Sequence, residues 1–269
     1  MNTGDTIETG NNFAPRKSLG QHWLIDNDVL ERIIEIASIS NDDNILEIGP
    51  GTGLLTDKLV SKAQKVTAVE LDHKLAVHLS DKKIPNLQVI EQDILSFDLS
   101  AMPSKYKIVA NIPYYLTGKL IRKISEAENR PELVVLLVQK EIAERMAARP
   151  GQLSILGVTS QYYWNVTKDL VVGPDSFQPP PEVYSQLVIL EKLERNVNDD
   201  LRKKVFGLVR SGFSSKRKTL ANNLKSLGVH KTTAEQMLAK LSMSPMTRAQ
   251  SLSVEQWISL AEAVLAEQA

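Results

Sequence analysis

The chain contains no cysteine, which excludes disulfide bonds and thiolate metal sites. A chain without cysteine suits a reducing compartment, and we expect a cytoplasmic protein. Its first dozen residues, MNTGDTIETGNN, are polar and have neither a basic start nor an apolar core. The longest apolar runs, such as VVLLV, have only the length of a strand. The sequence therefore predicts neither a signal peptide nor a membrane span.

The chain also has no net charge, but its charges are unevenly distributed. Up to Glu191 there are 19 Lys and Arg residues against 25 Asp and Glu, whereas from Lys192 onward there are 13 against 7. This basic C-terminal third favours a polyanionic partner such as nucleic acid, although an evenly solvated surface would give a similar sequence. With 269 residues, 42% of them hydrophobic, the chain is long enough for one or two globular domains.

From Asn44 onward, apolar strands alternate with amphipathic helices. The predicted strands are NILEIG, KVTAVE, LQVIEQD, KIVANI and ELVVLLVQ, and the predicted helices are LLTDKLVSKA, HKLAVHLSDK and EIAERMAA. This order predicts a doubly wound α/β domain whose parallel sheet is covered on both faces. Two further β segments, VTKDLVVG and SQLVILEKL, lie too close together for a helical crossover, so we expect them to pair antiparallel at one edge. After Arg195 only helical patterns follow, which predicts a second, all-helical domain.

The stretch LEIGPGTGLLT places Gly49, Gly51 and Gly53 between a predicted strand and a predicted helix. Ligands of open α/β sheets bind at the carboxyl ends of the strands, where small residues let the ligand approach the backbone. The spacing is G-x-G-x-G, whereas dinucleotide-binding loops have G-x-G-x-x-G. An ordinary turn could also use these glycines, so the identity of the ligand depends on the residues around the loop.

Two acids at the ends of the following strands indicate such a ligand. Glu70 closes the second strand, where a carboxylate can accept hydrogen bonds from both hydroxyls of a ribose. Asp93 closes the third, where it can accept from an adenine amino group, although single acids at strand ends are often merely solvated. Together with Glu47 these acids make the pocket negative, which suits a cationic cofactor and repels a diphosphate. S-adenosylmethionine, with its sulfonium and ammonium groups, fits this pocket, and an NAD-dependent oxidoreductase is disfavoured.

The fourth strand ends in Asn111, Ile112, Pro113 and Tyr114. The exocyclic amine of adenine is a poor nucleophile because its lone pair is delocalised into the ring. An Asn side-chain oxygen and the next carbonyl can each accept one N–H of that amine, while an aromatic ring stacks on the base and proline stiffens the turn. A turn over packed tyrosines is the structural alternative. The position beside the expected cofactor pocket favours methylation of an adenine amine.

These motifs together resemble the rRNA adenine dimethyltransferase family. RKSLGQHWL is similar to its N-terminal signature, and QKEIAERM, FQPPPEVYS and FSSKRKTLANNLK are similar to the branch that acts on the small ribosomal subunit. The resemblance covers roughly residues 14 to 260. It implies a Rossmann-like class I methyltransferase sheet, mostly parallel with an antiparallel edge strand, followed by a small all-helical domain.

The resemblance also implies roles for individual residues. The residues expected to contact S-adenosylmethionine are His22, Leu24, Gly49, Glu70, Asp93 and Asn111, to which the glycine loop adds Gly51. The residues expected at the reacting base are Asn111, Ile112, Tyr114 and Phe177, the last as a second ring near the adenine. The sequence departs from the family pattern at Trp23, which replaces Phe, at Tyr115, which replaces Asn, at Gln250, which replaces an acid, and in the shortened loop of RPGQLSIL.

The strongest basic cluster is KRK at 216–218. We expect this cluster and its neighbours to contact RNA phosphates, with a solvated helix end as the alternative reading. The predicted RNA-binding residues are Arg210, Lys216, Arg217, Lys218, Asn222 and Asn223. Among the four histidines, only His73 and His78 lie close in sequence, and five residues place them on different helix faces, so we expect no metal site.

The expected organisation is a polar tail (1–13), an S-adenosylmethionine-dependent methyltransferase domain (14–193) and a helical RNA-binding domain (194–269). The expected reaction methylates N6 of two adjacent adenosines near the 3′ end of 16S rRNA, with a role in late small-subunit assembly. The small ribosomal subunit is the expected partner of a protein that acts as a monomer. Two alternatives remain open. One is the macrolide-resistance methyltransferase of the large subunit, whose members also carry NIPY followed by IRKI. The other is a protein that serves mainly as an assembly factor.

Overall fold

The computed structural model describes residues 13–16, 19–195 and 197–268. The strands are β1 (Trp23–Leu24), β2 (Asn44–Ile48), β3 (Lys65–Glu70), β4 (Leu87–Glu91), β5 (Lys107–Asn111), β6 (Leu133–Gln139), β7 (Trp164–Val172), β8 (Phe177–Gln178) and β9 (Ser185–Lys192). The helices are α1 (Asn27–Ala37), α2 (Leu54–Val60), α3 (His73–Asp81), α4 (Thr117–Glu126), α5 (Lys140–Met146), α6 (Ile155–Tyr163), α7 (Asp199–Gly212), α8 (Leu220–Leu224), α9 (Lys231–Lys240) and α10 (Val254–Gln268). Apart from Phe13, the predicted tail of residues 1–13 lies outside the described residues.

Seven strands form one sheet in the order β4-β3-β2-β5-β6-β9-β7, in which the first five are parallel. Helices cover both faces, so successive residues of a strand enter different apolar clusters. Ile45 packs with α1 and α2 on one face, whereas Leu46 packs with α4 and α6 on the other. Burial on both faces explains why these strands are continuous apolar runs. The predicted doubly wound α/β fold is confirmed.

The strand order fixes where a ligand can bind. After β2 the chain moves outward through β3 to β4 and then returns to the other side of β2 to form β5. The loops that follow β2 and β5 therefore diverge and leave a crevice at the carboxyl edge of the sheet. In open α/β sheets this switch point is where ligands bind.

The two β segments around the prolines pair antiparallel at one edge, as predicted. β9 lies between β6 and β7 and is antiparallel to both. The strand that runs against the others is thus the inner one of the two. β7 carries an irregularity between Lys168 and Val171, which is common on edge strands.

Four elements of the structure, α1, α6, β1 and β8, were not predicted from the sequence. α1 begins after Asp26, whose carboxylate accepts from the backbone N–H of Asp28 and Val29 and caps the helix. α6 begins at the end of the shortened loop RPGQLSIL. β1 and β8 form a separate two-stranded antiparallel sheet in which Leu24 lies opposite Phe177. This small sheet brings the N-terminal segment to the crevice.

The C-terminal region is helical, as predicted, and packs closely. A Cβ atom on Gly212 would lie only 2.5 Å from the ring of Trp257, so the contact between α7 and α10 depends on glycine there. The apolar cluster under α4 and α6 continues without interruption into α7 and α10. No helix in the described part of the chain combines the length and apolarity needed to cross a membrane.

Candidate active site

A cavity of about 230 Å³ opens at the switch point of the sheet. The loops after β2, β3, β4 and β5 form its floor, and the N-terminal strap, which we define as residues 19–24, covers one side. The sequence-predicted residues that line it are His22, Leu24, Gly49, Gly51, Glu70, Asp93, Asn111, Ile112, Tyr114 and Phe177. All residues predicted for the cofactor and the reacting base therefore meet in one cavity.

The glycine loop has a backbone that favours glycine. Gly49, Gly51 and Gly53 have φ values of 64°, 59° and 91°, which lie in the left-handed region. A Cβ atom on Gly51 would come within 3.0 Å of the Trp23 ring, and one on Gly53 within 2.5 Å of Leu79. The loop is thus held tightly between the strap and α3, with its backbone facing the cavity.

Glu70 fixes this loop from the end of β3. Its two carboxylate oxygens accept hydrogen bonds from the backbone N–H of Gly51, at 3.1 Å, and of Asp72, at 2.8 Å. The residue is only 5% exposed, and this burial raises the pKa of its carboxyl group despite the hydrogen bonds. Each oxygen keeps a second lone pair for a ligand, so Glu70 can position the loop and bind a hydroxyl group at the same time.

Glu47 lies beneath the loop and is the most unusual group of the site. It is 1% exposed, and neither carboxylate oxygen has a hydrogen-bond partner among the described residues. Burial raises the pKa of Glu47 to about 8, and the negative charges of Glu70 and Asp57 act in the same direction. Thr56 lies close enough to offset part of this shift but forms no well-aligned hydrogen bond with the carboxylate. At neutral pH the carboxyl group of Glu47 is therefore mainly protonated and adds no full negative charge to the cavity.

The raised pKa of Glu47 gives a testable pH dependence. The folded protein holds a proton on Glu47 that the unfolded chain releases near pH 4.5, so stability falls as the pH rises from there toward 8. Glu47→Gln removes this titration. Between pH 5 and 8 the free energy of unfolding of the wild type should fall, relative to Glu47→Gln, by on the order of 3 kcal/mol. Urea unfolding of both proteins at each pH measures the difference.

The matched control is Glu128→Gln, because Glu128 is exposed and does not line the cavity. Its profile should run parallel to that of the wild type. Parallel profiles for Glu47→Gln and wild type would show that Glu47 is ionised in the folded protein.

Asp93 lies two residues beyond the end of β4, in a turn, and does not close the strand as the sequence suggested. One of its carboxylate oxygens accepts from the backbone N–H of Leu95 at 2.8 Å, which orients the side chain. The residue is half-buried and lines the cavity, so its second oxygen can still accept from a ligand.

Asn111 ends β5 at the cavity wall with a defined orientation. Its side-chain Nδ2 donates to the backbone carbonyl of His22 at 3.1 Å, across 89 residues of sequence. No donor in the described parts of the chain reaches its Oδ1. The strap therefore turns the amide so that its acceptor oxygen is free, next to the carbonyl of the buried Ile112.

The aromatic groups of the site are also held in place. The hydroxyl of Tyr114 hydrogen-bonds with Ser185 Oγ at 2.9 Å, and its ring stacks beside His22 with centroids 6.0 Å apart. His22 Nδ1 lies 2.8 Å from the carbonyl oxygen of Pro179, which requires that Nδ1 carries a proton and donates it. Phe177 is almost fully buried in the core and presents only part of its ring to the cavity.

The predicted RNA-binding residues lie apart from the cavity. Lys216, Arg217 and Lys218 form an exposed turn between α7 and α8, which we call the basic turn, and Arg210 is exposed on α7. Asn222 is half-buried and donates to Thr219 Oγ1 at 3.0 Å.

Asn223 corrects one prediction, because its side chain does not face solvent. It is 5% exposed, and its amide donates to the backbone carbonyls of Gly212 and Ser215, the latter at 3.0 Å. These bonds tie α8 to the segment before the basic turn. Asn223 therefore positions the turn and has no exposed donor for a phosphate.

Sequence reasoning missed one charged residue of the cavity, Lys119, which lines the mouth from the first turns of α4. The sequence does contain a signal for this residue. Lys119 follows Tyr115 by four residues in NIPYYLTGKL, and on a helix this spacing places both side chains on one side. Within residues 13–16, 19–195 and 197–268, no group of three or more His, Asp or Glu residues could hold a metal ion.

The strand order, the glycine loop and the acids at the strand ends define a class I methyltransferase. The family model for ribosomal RNA adenine dimethylase matches residues 12–265, which is nearly the whole chain. The chain therefore belongs to the ribosomal RNA adenine dimethylase family.

Individual relatives agree with this assignment. A ribosomal RNA small subunit methyltransferase A from Dehalococcoides mccartyi is 39% identical over 255 residues, covering 92% of this chain and 88% of its own. A dimethyladenosine transferase from Plasmodium falciparum, a solved structure, has a TM-score of 0.79 and 30% identity, covering 92% of this chain and 98% of its own. The structure of the 23S rRNA methyltransferase ErmE has a TM-score of 0.73 and 27% identity, covering 90% of this chain and 98% of its own.

Proposed function

We propose that this protein methylates N6 of two adjacent adenosines near the 3′ end of the 16S rRNA, twice on each base, with S-adenosylmethionine as the methyl donor. Membership of the family supports the reaction. The name of the Dehalococcoides mccartyi relative supports the small subunit as the substrate.

The orientation of Asn111 carries the proposal. With Nδ2 engaged by the His22 carbonyl, Oδ1 of Asn111 can accept one N–H of an adenine amine, and the carbonyl of Ile112 can accept the other. Two acceptors on one amine draw its nitrogen toward tetrahedral geometry and make the lone pair available. Tyr114, fixed by Ser185, would stack on the extruded base. The residues thus activate a weak nucleophile without a strong base.

The cavity suits S-adenosylmethionine, because the acidic side chains of Glu70 and Asp93 line its floor. When bound, this cofactor supplies an electrophilic methyl group on a sulfonium. Glu70 would accept from the ribose hydroxyls, and the free oxygen of Asp93 from the adenine amino group of the cofactor. His22, Leu24, Gly49 and Gly51 would contact the cofactor from the strap and the loop. We assign this role to the domain formed by residues 14–193.

We assign RNA binding to the helical domain formed by residues 194–269. Arg210 and the basic turn are exposed on it, so they can reach phosphates without rearrangement. Asn222 has one amide hydrogen committed to Thr219 and would contribute at most a secondary contact.

The deciding experiment offers the purified protein labelled S-adenosylmethionine together with undermethylated small and large ribosomal subunits, followed by mapping of the modified bases. We expect dimethylation of two adjacent adenosines in the small subunit only. The likeness to the 23S rRNA methyltransferase ErmE keeps the large subunit as the second candidate, and labelling of a large-subunit adenine would establish it.

Replacing Lys216, Arg217 and Lys218 together by Ala should weaken binding to the small subunit and flatten its salt dependence. Each phosphate contact contributes about 0.7 to 0.9 units of slope, so three lost contacts should reduce it by about 2 to 3 units. Binding measured from low to moderate salt tests this. The control replaces Lys62, Lys65 and Lys83, which are exposed on the methyltransferase domain, and should leave the slope unchanged. Equal slopes for both triple variants would remove the basic turn from the interface.

The same triple variant separates an assembly role from catalysis alone. If only methylation matters, Asn111→Ala and the basic-turn variant should give equal defects in cells, since both end it. We expect unequal defects, because an inactive Asn111→Ala protein still binds the immature subunit and delays its release. Subunit profiles from cells carrying each variant test this, and equal profiles would contradict the assembly role.

A further inference from the structure

The lining of the active-site cavity includes an exposed aromatic ring and an exposed cation that are close in sequence. Tyr115 lies in the 3-10 turn Tyr114–Leu116, which runs directly into α4, and Lys119 follows four residues later. Side chains four residues apart on a helix are neighbours, with about 5 to 6 Å between their Cβ atoms. Both residues line the cavity, and both are exposed. We call them the rim pair.

The ring of Tyr115 is exposed and yet supported. It is 59% exposed, which is unusual for a tyrosine that lines a cavity. One side of the ring is supported by the strap and the turn, since a Cβ on Gly20 would lie 3.5 Å from the ring and 3.8 Å from Pro113. The other side faces solvent. A ring that is supported on one side and free on the other is a stacking platform for a base.

Lys119 contrasts with the charges deeper in the cavity. Glu70 and Asp93 make the floor acidic, whereas Lys119 is the one Lys or Arg among the described lining residues. None of the ion pairs or hydrogen bonds of the described residues engages it. The cation at the mouth favours binding of a negatively charged group there, whereas the acidic floor favours a positively charged group deeper in the cavity.

We propose that the rim pair holds the nucleotide next to the target adenosine, with its base stacked on Tyr115 and its phosphate paired with Lys119. This inference rests on the proposed function, because it names how the RNA enters the same cavity. An adenosine drawn into the cavity leaves its neighbour without a stacking partner on one side, and the ring replaces that partner. The stretch YYLTGK thus adds RNA recognition to the methyltransferase domain itself.

The test measures binding of a fluorescein-labelled single-stranded pentaadenylate to the protein saturated with S-adenosylhomocysteine, by anisotropy at several salt concentrations. Tyr115→Ala should weaken binding at least about fivefold, because losing the stacking of one base on an aromatic ring lowers affinity by about that factor or more. Its salt slope should be unchanged, since no charge is removed. Tyr115→Phe keeps the ring and should bind like the wild type. Lys119→Ala should reduce the salt slope by about 0.7, as expected for one phosphate of a single strand, whereas Lys119→Arg should preserve it.

Two controls make the result specific. Lys168→Ala removes an exposed lysine on the edge strand β7, outside the cavity, and should not change the slope. Affinity for S-adenosylmethionine, measured by calorimetry, should be the same in all variants, because both rim side chains are exposed. A rim variant that loses cofactor affinity would show that the pair serves the cofactor, and would overturn the inference. An unchanged oligonucleotide affinity in Tyr115→Ala, or an unchanged salt slope in Lys119→Ala, would overturn it as well.

The outcomes also separate this inference from the proposed function. If the wild type methylates neither ribosomal subunit, the proposed function fails, while the oligonucleotide experiment still decides whether the rim pair binds RNA. If the wild type methylates the small subunit and the rim variants do so with unchanged kcat/KM, the rim inference fails alone.

Discussion

Asn111→Ala should lower the rate of methyl transfer about a hundredfold, because losing one acceptor at the reacting atom costs about 3 kcal/mol. The variant removes Oδ1, which is free to face the cavity because Nδ2 donates to the His22 carbonyl. It removes no phosphate contact. Binding to the small subunit should therefore be nearly unchanged. Single-turnover assays with saturating subunit and cofactor measure the rate, and equilibrium binding measures the affinity.

Two further variants sharpen this test. Asn165→Ala removes an exposed Asn on the edge strand β7, outside the cavity, and should keep the wild-type rate. Asn111→Asp keeps acceptor oxygens but loses the donor to His22, so a carboxylate oxygen would face that carbonyl and the side chain would turn away. We expect it to be impaired like Asn111→Ala. A wild-type rate in Asn111→Ala would show that the amine is activated in another way.

Glu70→Ala should weaken binding of S-adenosylmethionine about 30- to 1000-fold, since losing two charge-assisted hydrogen bonds in a partly buried site costs on the order of 2 to 4 kcal/mol. The backbone N–H groups of Gly51 and Asp72 also lose their acceptor, which adds to the effect. Burial raises the pKa of Glu70, so in the wild type the affinity should begin to fall as the pH drops toward that raised value, before 4.5 is reached. Titration calorimetry measures both effects.

The control for Glu70 is its neighbour on the adjacent strand. Glu91 is paired with it in the register of β3 and β4, but is exposed and bound to His73, so Glu91→Ala should keep the wild-type affinity. A second experiment separates ligand contact from loop support. The 2′-deoxyribose analogue of S-adenosylhomocysteine should bind the wild type more weakly than the parent compound, whereas Glu70→Ala should not distinguish the two. Equal discrimination by both proteins would remove Glu70 from the ribose site.

The parallel sheet and its strand ends could be predicted because buried strands are uninterrupted apolar runs that stop where the chain meets solvent or ligand. β3 has the predicted bounds, and β2 and β5 end one residue earlier than predicted. The small β1–β8 sheet could not be predicted, because pairs of two residues leave no periodicity in a sequence. α1 had a readable signal in Asp26 as a cap and in the spacing of its apolar residues.

Which residues form the site could be predicted better than how their side chains are oriented. Acids and amides at strand ends can be located from the strand pattern, as Glu70 and Asn111 show. The bond from Asn111 to the His22 carbonyl joins distant parts of the chain through backbone geometry, which residue types do not encode. Asn223 shows the opposite case. Its sequence context among basic residues suggested an exposed donor, but packing between α7 and α8 buries it.

The small β1–β8 sheet has a consequence for how the protein is made. His22, which lines the cavity, and Pro179 are 157 positions apart and are in contact, so the pocket is incomplete until the ribosome has released almost the whole methyltransferase domain. Contacts between such distant segments form late, because the loop between them must first be ordered. Once formed, the completed pocket lets the cofactor stabilise only the finished fold, by an amount that grows with the logarithm of its concentration over its dissociation constant. Cofactor supply in the cell would thus influence how much of the newly synthesised protein survives proteolysis.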